Sequence, residues 1–157
     1  MTQPTLKDGV KAPSFTLPTD GGGEVSLKAL AGKTVVLYFY PKDDTTGCTK
    51  QAIGFTDMAK DFAKAGAVVI GVSKDSPEKH DKFKSKHKLT LILASDEEGK
   101  VIERYGSWVE KSLYGRKYMG TDRSTFLIDK TGVIRRIWRK VKVPGHVEEV
   151  LKAATAL

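Results

Sequence analysis

Two apolar runs, TVVLYFY at residues 34–40 and AVVIGV at residues 67–72, constrain the fold of this chain more than any other feature. Each run is short, continuous and rich in β-branched or aromatic residues, which is typical of a strand buried on both faces of a sheet. Pro41 ends the first run, and between the runs apolar residues recur at three- and four-residue steps over residues 48–65. That spacing predicts a helix, which Gly66 ends.

The remaining segments continue this alternation of strands and helices. A hairpin is predicted within SFTLPTDGGGEVSL (14–27), ahead of the first apolar run. After the second run come a helix capped by Ser76 and running to about residue 86, a short apolar run at 89–94, and a short helix capped by Asp96 and running to Tyr105. A loop from Gly106 to about Asp122, a hairpin at 124–141 and a closing helix at 145–157 complete the chain. The order β-α-β-α-β-α-β-β-α predicts an α/β fold with a central mixed β-sheet flanked by helices, after an N-terminal β-hairpin.

The length and composition predict one domain spanning residues 1–157, because 157 residues with 39% hydrophobic content suffice for a single core. No window approaches the roughly 18 consecutive apolar residues of a membrane helix. The N-terminal MTQPTLKDG is too polar for the apolar region of a signal peptide. With a single cysteine, no internal disulfide can form, which agrees with a reducing compartment. We therefore expect a cytoplasmic protein without membrane contact.

The net charge of +8 raises the possibility of nucleic-acid binding, because a basic face attracts phosphates. The densest basic cluster is RRIWRKVK at 135–142, but the other lysines are spread along the chain beside acidic residues. The sequence also lacks a helix-turn-helix, zinc-finger or RNA-binding signature. We interpret these cations as solvated surface residues and expect no nucleic-acid partner.

The single cysteine, Cys48, lies where the predicted strand 34–40 gives way to the helix that follows it. Amides in the first turn of a helix have no intrahelical acceptor and, with the helix dipole, they favour the thiolate over the thiol. The commonest fate of a free cysteine is that of a small buried hydrophobe. The polar and flexible neighbours, DDTTG before it and TK after it, favour a reactive thiol instead. A cation or further donors are expected to support the thiolate.

The stretch YFYPKDDTTGCT contains Pro41-x-x-x-Thr45-x-x-Cys48 and resembles the active-site pattern of peroxiredoxins. GCTKQAIGF, GVSKDSPEKHDKF, RSTFLIDKTG and WRKVKVPGHVEEVL are similar to the bacterioferritin comigratory protein, or Q-type, subfamily, so the resemblance covers nearly the whole chain. It implies a thioredoxin-like fold and the reduction of hydrogen peroxide and alkyl hydroperoxides. A dithiol oxidoreductase is excluded, because Thr45 stands where Cys-x-x-Cys would place its first cysteine.

The same resemblance implies a role for each of four residues. Cys48 is the peroxidatic nucleophile that becomes a sulfenic acid. Thr45 hydrogen-bonds the thiolate and the peroxide, Pro41 shields the pocket, and Arg123 is the cation that reaches the sulfur and the peroxide oxygen. Singly, the last three also have ordinary structural readings as a helix cap, a strand end and a solvated charge.

No metal or organic cofactor is implied. The three histidines, His80, His87 and His146, do not form a ligand cluster by spacing, and we interpret them as surface or helix residues.

The chain departs from the subfamily pattern at three positions. Thr46 replaces a proline that commonly precedes the glycine, and the two places where a resolving cysteine occurs carry Ile53 and Lys84. The resemblance thus implies a one-cysteine enzyme whose sulfenic acid is reduced by an external thiol such as thioredoxin or glutaredoxin, in a monomer or weak homodimer. The alternative is a thioredoxin-fold redox-sensing or interaction module whose thiol reacts slowly.

Overall fold

A computed structural model describes residues 6–157 of the protein, so residues 1–5 of the polar N-terminal segment lie outside the described residues. The strands are β1 (Thr16–Pro18), β2 (Glu24–Ser26), β3 (Thr34–Phe39), β4 (Ala67–Ser73), β5 (Ile92–Ser95), β6 (Trp108–Leu113), β7 (Arg116–Thr121), β8 (Ser124–Ile128) and β9 (Ile134–Trp138). The helices are α1 (Thr46–Asp57), α2 (Ala59–Lys64), α3 (Pro77–His87), α4 (Lys100–Arg104) and α5 (His146–Thr155), with short 3₁₀ helices at Asp20–Gly22 and Lys28–Leu30.

The centre of the fold is a five-stranded mixed sheet in the order β5-β4-β3-β8-β9. β3 and β4 are parallel, as are β4 and β5, whereas β8 runs antiparallel to both β3 and β9. β1 and β2 form a separate antiparallel hairpin. The predicted mixed sheet and N-terminal hairpin are therefore confirmed.

β3 is buried along its whole length, because helices or loops cover both faces of the sheet. Its alternate residues enter two different cores. Val35, Leu37 and Phe39 pack with α4 and the N-terminal hairpin. The residues between them, together with Tyr40, pack with α1, α2, α3 and α5. The second core is the one that contains Cys48.

The helix predicted over residues 48–65 is two helices in the structure. α1 begins two residues earlier and ends at Asp57, and Met58, with φ −102° and ψ 14°, separates it from α2. Phe55 and Phe62 still face the same core across the break, with ring centroids 5.6 Å apart. Because the apolar spacing continues through Met58, it gave no sign of the interruption.

The loop predicted from Gly106 to about Asp122 is wrong, since β6 and β7 form a hairpin there. Its register runs from Trp108↔Thr121 to Leu113↔Arg116. The connecting Tyr114 and Gly115 have φ of +51° and +78°, as a two-residue hairpin turn with two positive φ angles requires. Most of the hairpin is exposed, so it lacks the alternation of apolar and polar residues that marks a half-buried strand.

The helix predicted to start at an Asp96 cap starts later, because α4 begins at Lys100 and its N-cap residue is Gly99. The Asp96 carboxylate still accepts from the Ile102 amide in the first turn, at 2.8 Å. Burial raises the pKa of Asp96, although backbone amides of α4 oppose that shift. Between residues 6 and 157, no helix combines the length and apolar character needed to cross a bilayer.

Candidate active site

Cys48 lies in the first turn of α1, directly after the sheet's central strand β3. Thr45 takes the N-cap position of α1, and its carbonyl oxygen accepts from the Thr49 amide at 2.8 Å. The thiol is 2% exposed and packs among aromatic and small residues of the second core. The strand-to-helix junction predicted for the thiol is therefore present, and its sulfur is shielded from solvent.

Arg123 reaches the thiol from a segment 75 positions further along the chain. It directly precedes β8, and the antiparallel register Phe39↔Ser124 brings the start of β8 to the end of β3, where α1 begins. Its Nη2 donates to Cys48 Sγ at 3.3 Å. A Cβ at Gly47 would lie 3.1 Å from that nitrogen, so glycine leaves room for the guanidinium. A cation in contact with sulfur favours the thiolate.

Gln51 completes this contact and was not recognised from the sequence. It lies one turn along α1 from Cys48, is fully buried, and its Oε1 accepts from Arg123 Nη1 at 2.7 Å. Because a guanidinium has no acceptor, the amide oxygen must face Arg123, which fixes the orientation of the amide. Arg123 is thus held by Gln51 through one nitrogen while the other nitrogen donates to the sulfur. The signal available in the sequence was the three-residue spacing from Cys48, which places Gln51 on the same helix face.

Thr45 and Pro41 flank the thiol without a hydrogen bond of the predicted kind. The Thr45 hydroxyl donates to the Lys42 carbonyl at 2.9 Å, and its side chain is exposed. Pro41 is also exposed and follows Tyr40, which is buried just after the end of β3. Among residues 6–157, the structure thus joins Arg123 and Cys48 by a direct hydrogen bond and leaves the roles of Thr45 and Pro41 as predictions.

Two tyrosines of the β3 segment, Tyr38 and Tyr40, pack in the same core as Cys48. Tyr38 stacks on Phe55 with ring centroids 4.8 Å apart and lies 5.5 Å from the ring of Tyr40. Burial, reinforced by the nearby Cys48 and Asp43, raises the pKa of Tyr38 well above 10.0. Burial likewise raises the pKa of Tyr40 well above 10.0, so both phenols stay neutral at neutral pH.

The three histidines all lie in helices, as interpreted from the sequence, but two of them are not on the surface. His80 is fully buried in α3 and His146 is 5% exposed at the start of α5. His146 Nε2 lies 2.8 Å from Thr125 Oγ1, and burial lowers its pKa from 6.5 to about 4. In the part of the chain that the structure describes, no group of three or more His, Cys, Asp or Glu side chains is placed to hold a metal ion.

Known proteins share both the sequence and the fold. The AhpC/TSA family model matches residues 9–137. Peroxiredoxin Bcp of Bacillus subtilis is 51% identical over 148 residues, which cover 94% of each chain. Peroxiredoxin Bcp of Escherichia coli is 44% identical over 146 residues, covering 93% of this chain and 94% of the other.

Solved structures agree. Bacterioferritin comigratory protein of Xanthomonas campestris, whose trapped intermediate and ligand complexes concern its alkyl peroxide reduction activity, superposes with a TM-score of 0.90 at 38% identity. That match covers 96% of this chain and 98% of the other, and it confirms the thioredoxin-like fold. The chain therefore belongs to the AhpC/TSA family of peroxiredoxins, with the Bcp and peroxiredoxin Q proteins as its relatives.

Proposed function

We propose that the protein is a thiol-dependent peroxidase that reduces hydrogen peroxide and alkyl hydroperoxides through Cys48. The observation that carries this proposal is the 3.3 Å contact between Arg123 Nη2 and Cys48 Sγ in the first turn of α1. A buried thiol beside a cation and free helix amides is arranged to react as a thiolate. Only the thiolate is a competent nucleophile toward a peroxide.

The reaction transfers one oxygen atom to the sulfur. The Cys48 thiolate attacks the terminal peroxide oxygen, a sulfur–oxygen bond forms, and the oxygen–oxygen bond breaks. The leaving hydroxide or alkoxide takes up a proton, giving water or an alcohol and Cys48 sulfenic acid. Negative charge moves from sulfur to the leaving oxygen, so Arg123 and the first-turn amides of α1 stabilise it throughout.

Thr45 and Pro41 complete this site in the proposal. The Thr45 hydroxyl turns from the Lys42 carbonyl toward the sulfur, where it can accept and donate in turn. The fixed φ of Pro41 holds the turn that shields the pocket. Gln51 adds a donor, because its buried Nε2 has no partner among residues 6–157.

The sulfenic acid is reduced by an external thiol, since the chain has a single cysteine. A thiolate of the reductant attacks the Cys48 sulfur and releases water, and a second reductant thiol then frees Cys48 from the mixed disulfide. We propose a dithiol protein such as thioredoxin, or glutaredoxin, as the donor. Cys48 is 2% exposed, so the first turn of α1 must open for this step. We further place the protein in the cytoplasm as one domain over residues 1–157, a monomer or weak homodimer.

Turnover tests the proposal against the redox-sensing alternative. A catalytic amount of protein is given excess hydrogen peroxide or an alkyl hydroperoxide, with dithiothreitol, a thioredoxin system or a glutaredoxin system as the donor. The peroxidase consumes many equivalents of peroxide with at least one donor. Consumption that stops at one equivalent with every donor would support a slow sensing thiol instead.

Restoring a second cysteine at Ile53 is expected to create an internal disulfide. Five residues of helix separate Cα atoms by about 8.7 Å, beyond the disulfide limit of about 7 Å, so the bond requires the start of α1 to unwind. Ile53 is 36% exposed, so its replacement disturbs the core little. After one equivalent of peroxide, Ile53→Cys should crosslink and lose far-UV helix signal, which returns on reduction.

The matched control is Ile53→Ser, which should keep its helix signal under the same treatment. Two unlinked cysteines after Cys48 oxidation would show that α1 does not open. Lys84, at the second place where the subfamily has a resolving cysteine, lies in α3, where its Nζ is 2.8 Å from Asp20 Oδ2.

A further inference from the structure

Residues 41–45, here called the Cys48 loop, connect β3 to α1 and thereby set the position of the thiol. In this loop Asp44 has φ of +59°, a left-handed conformation that costs free energy for residues other than glycine, though less for Asp and Asn than for most. Such a conformation persists only where the surroundings hold it. The contacts that hold this loop therefore matter for the geometry around Cys48.

The most buried of these contacts is made by His80 of α3. Its Nδ1 lies 2.6 Å from Asp43 Oδ2 in the loop, and its Nε2 lies 3.0 Å from the backbone oxygen of Ala94 in β5. The side chains of His80 and Asp43 are 0% and 6% exposed. One ring thus joins the Cys48 loop to the edge strand of the central sheet.

The partners of the ring determine where its protons are. A backbone oxygen can only accept, so His80 Nε2 must carry a proton. On the other side, Asp43 Oδ1 accepts from the Tyr40 hydroxyl at 2.5 Å, as expected of a carboxylate. Two lone pairs facing each other at 2.6 Å would repel, so one proton lies between Nδ1 and Asp43 Oδ2. We place this proton on the ring, because an imidazole is a stronger base than a carboxylate.

We infer that His80 is an imidazolium paired with Asp43 and that this buried pair is a positioning device for Cys48. The inference rests on the proposed peroxidase function for its kinetic consequence. His80 touches neither the sulfur nor the peroxide and acts through Asp43, which lies two residues before the N-cap Thr45. Losing one partner of a buried pair leaves an uncompensated charge, so the loop is held strongly.

The remaining contacts of the loop are secondary to this pair. Lys86 and His87 bind the Asp44 carboxylate at 2.7 and 2.8 Å, but Asp44 is 43% exposed, and exposed ion pairs stabilise little. The Asp43 amide donates to Asp75 Oδ2 at 2.8 Å, which orients the backbone from the end of β4. The Asp43 carboxylate also accepts from Tyr40, but Tyr40 belongs to the same chain segment, three residues earlier. His80 therefore supplies the hydrogen bonds that join this buried carboxylate to α3 and β5.

The expected effect on the reaction follows from geometry. Displacing a reacting group by about 1 Å can slow an enzyme about 100-fold. His80→Leu removes both hydrogen bonds while keeping a buried apolar side chain, and we expect it to slow peroxide reduction at least about tenfold, through a weaker contact between Arg123 and Cys48.

A comparison of two variants decides whether a lower rate comes from the lost connection to β5 or from the buried Asp43 charge that is left without a partner. His80→Leu leaves Asp43 unpaired, whereas the double variant His80→Leu/Asp43→Asn removes that charge but does not restore the connection to β5. Positioning predicts that both variants are slow. Recovery of the wild-type rate in the double variant would show that only the stranded charge mattered and would overturn the inference.

Leu89→Ala is the stability-matched control, because Leu89 is buried just after α3 and makes no hydrogen bond from its side chain. It should unfold at lower temperature but keep the wild-type rate. A wild-type rate in His80→Leu, with only the unfolding temperature lowered, would make His80 purely structural and refute the positioning role.

Two further readouts do not require peroxidase activity. The rate at which iodoacetamide alkylates Cys48 should differ from that of the wild type in His80→Leu but not in Leu89→Ala. ¹⁵N NMR at neutral pH should show two ring N–H groups for His80. A single ring N–H group would overturn the inference that His80 is an imidazolium. If the wild type consumes no peroxide, the proposed function fails, while these two measurements still decide the inference.

Discussion

Cys48→Ser is expected to abolish catalysed peroxide consumption, leaving only the background reaction between peroxide and the added reductant. The physical reason is that a serine hydroxyl is far less acidic and less nucleophilic toward peroxide oxygen than a thiolate. The replacement is nearly isosteric at a 2% exposed position, so the fold should survive. Peroxide loss is followed with the donor that supports wild-type turnover.

The control for this variant is its thermal unfolding and circular dichroism, which should match those of the wild type. Equal consumption by Cys48→Ser and the wild type would contradict the assignment of Cys48 as the nucleophile. A folded but inactive variant is the result that the site geometry predicts.

Arg123→Met is expected to slow peroxide reduction about 100-fold, the usual effect of removing one preorganised donor from developing charge. Methionine keeps much of the apolar volume but removes the bonds to Cys48 Sγ and Gln51 Oε1. The cation that stabilises the negative charge moving from the sulfur to the leaving oxygen is then lost. The rate of peroxide consumption, with the donor that supports wild-type turnover, measures this effect.

Arg135→Met is the matched control, since Arg135 is a 54% exposed arginine on β9 that pairs with Asp129 rather than with the thiol. It should retain the wild-type rate. An Arg123→Met protein that is folded and still reduces peroxide at the wild-type rate would remove Arg123 from the site.

The sequence was most informative where a residue's own segment determines its environment. The continuous apolar run at residues 34–40 predicted a strand buried on both faces, and the polar stretch after it predicted the junction that holds Cys48. Arg123 came instead from the resemblance to peroxiredoxins. Its contact with Cys48 spans 75 positions of the chain and depends on the pairing of β3 with β8.

The missed features share a different cause. Gln51 and His80 are polar residues on helices, which composition and periodicity place at the surface. Their burial depends on partners distant in sequence, Arg123 at 72 positions and Asp43 at 37 positions. The hairpin of β6 and β7 was missed for the opposite reason, because it is largely exposed and has no apolar pattern to read.

Mass spectrometry after graded peroxide tests the central claim, that Cys48 reacts as the sole redox centre through a sulfenic acid. With one equivalent of peroxide and a sulfenic-acid reagent, the protein should gain one label, which peptide mapping places at Cys48. Without reductant or reagent, it should proceed to sulfinic acid or to a disulfide between two chains. An unmodified Cys48 under these conditions, with oxygen found only on the methionines, would contradict the account.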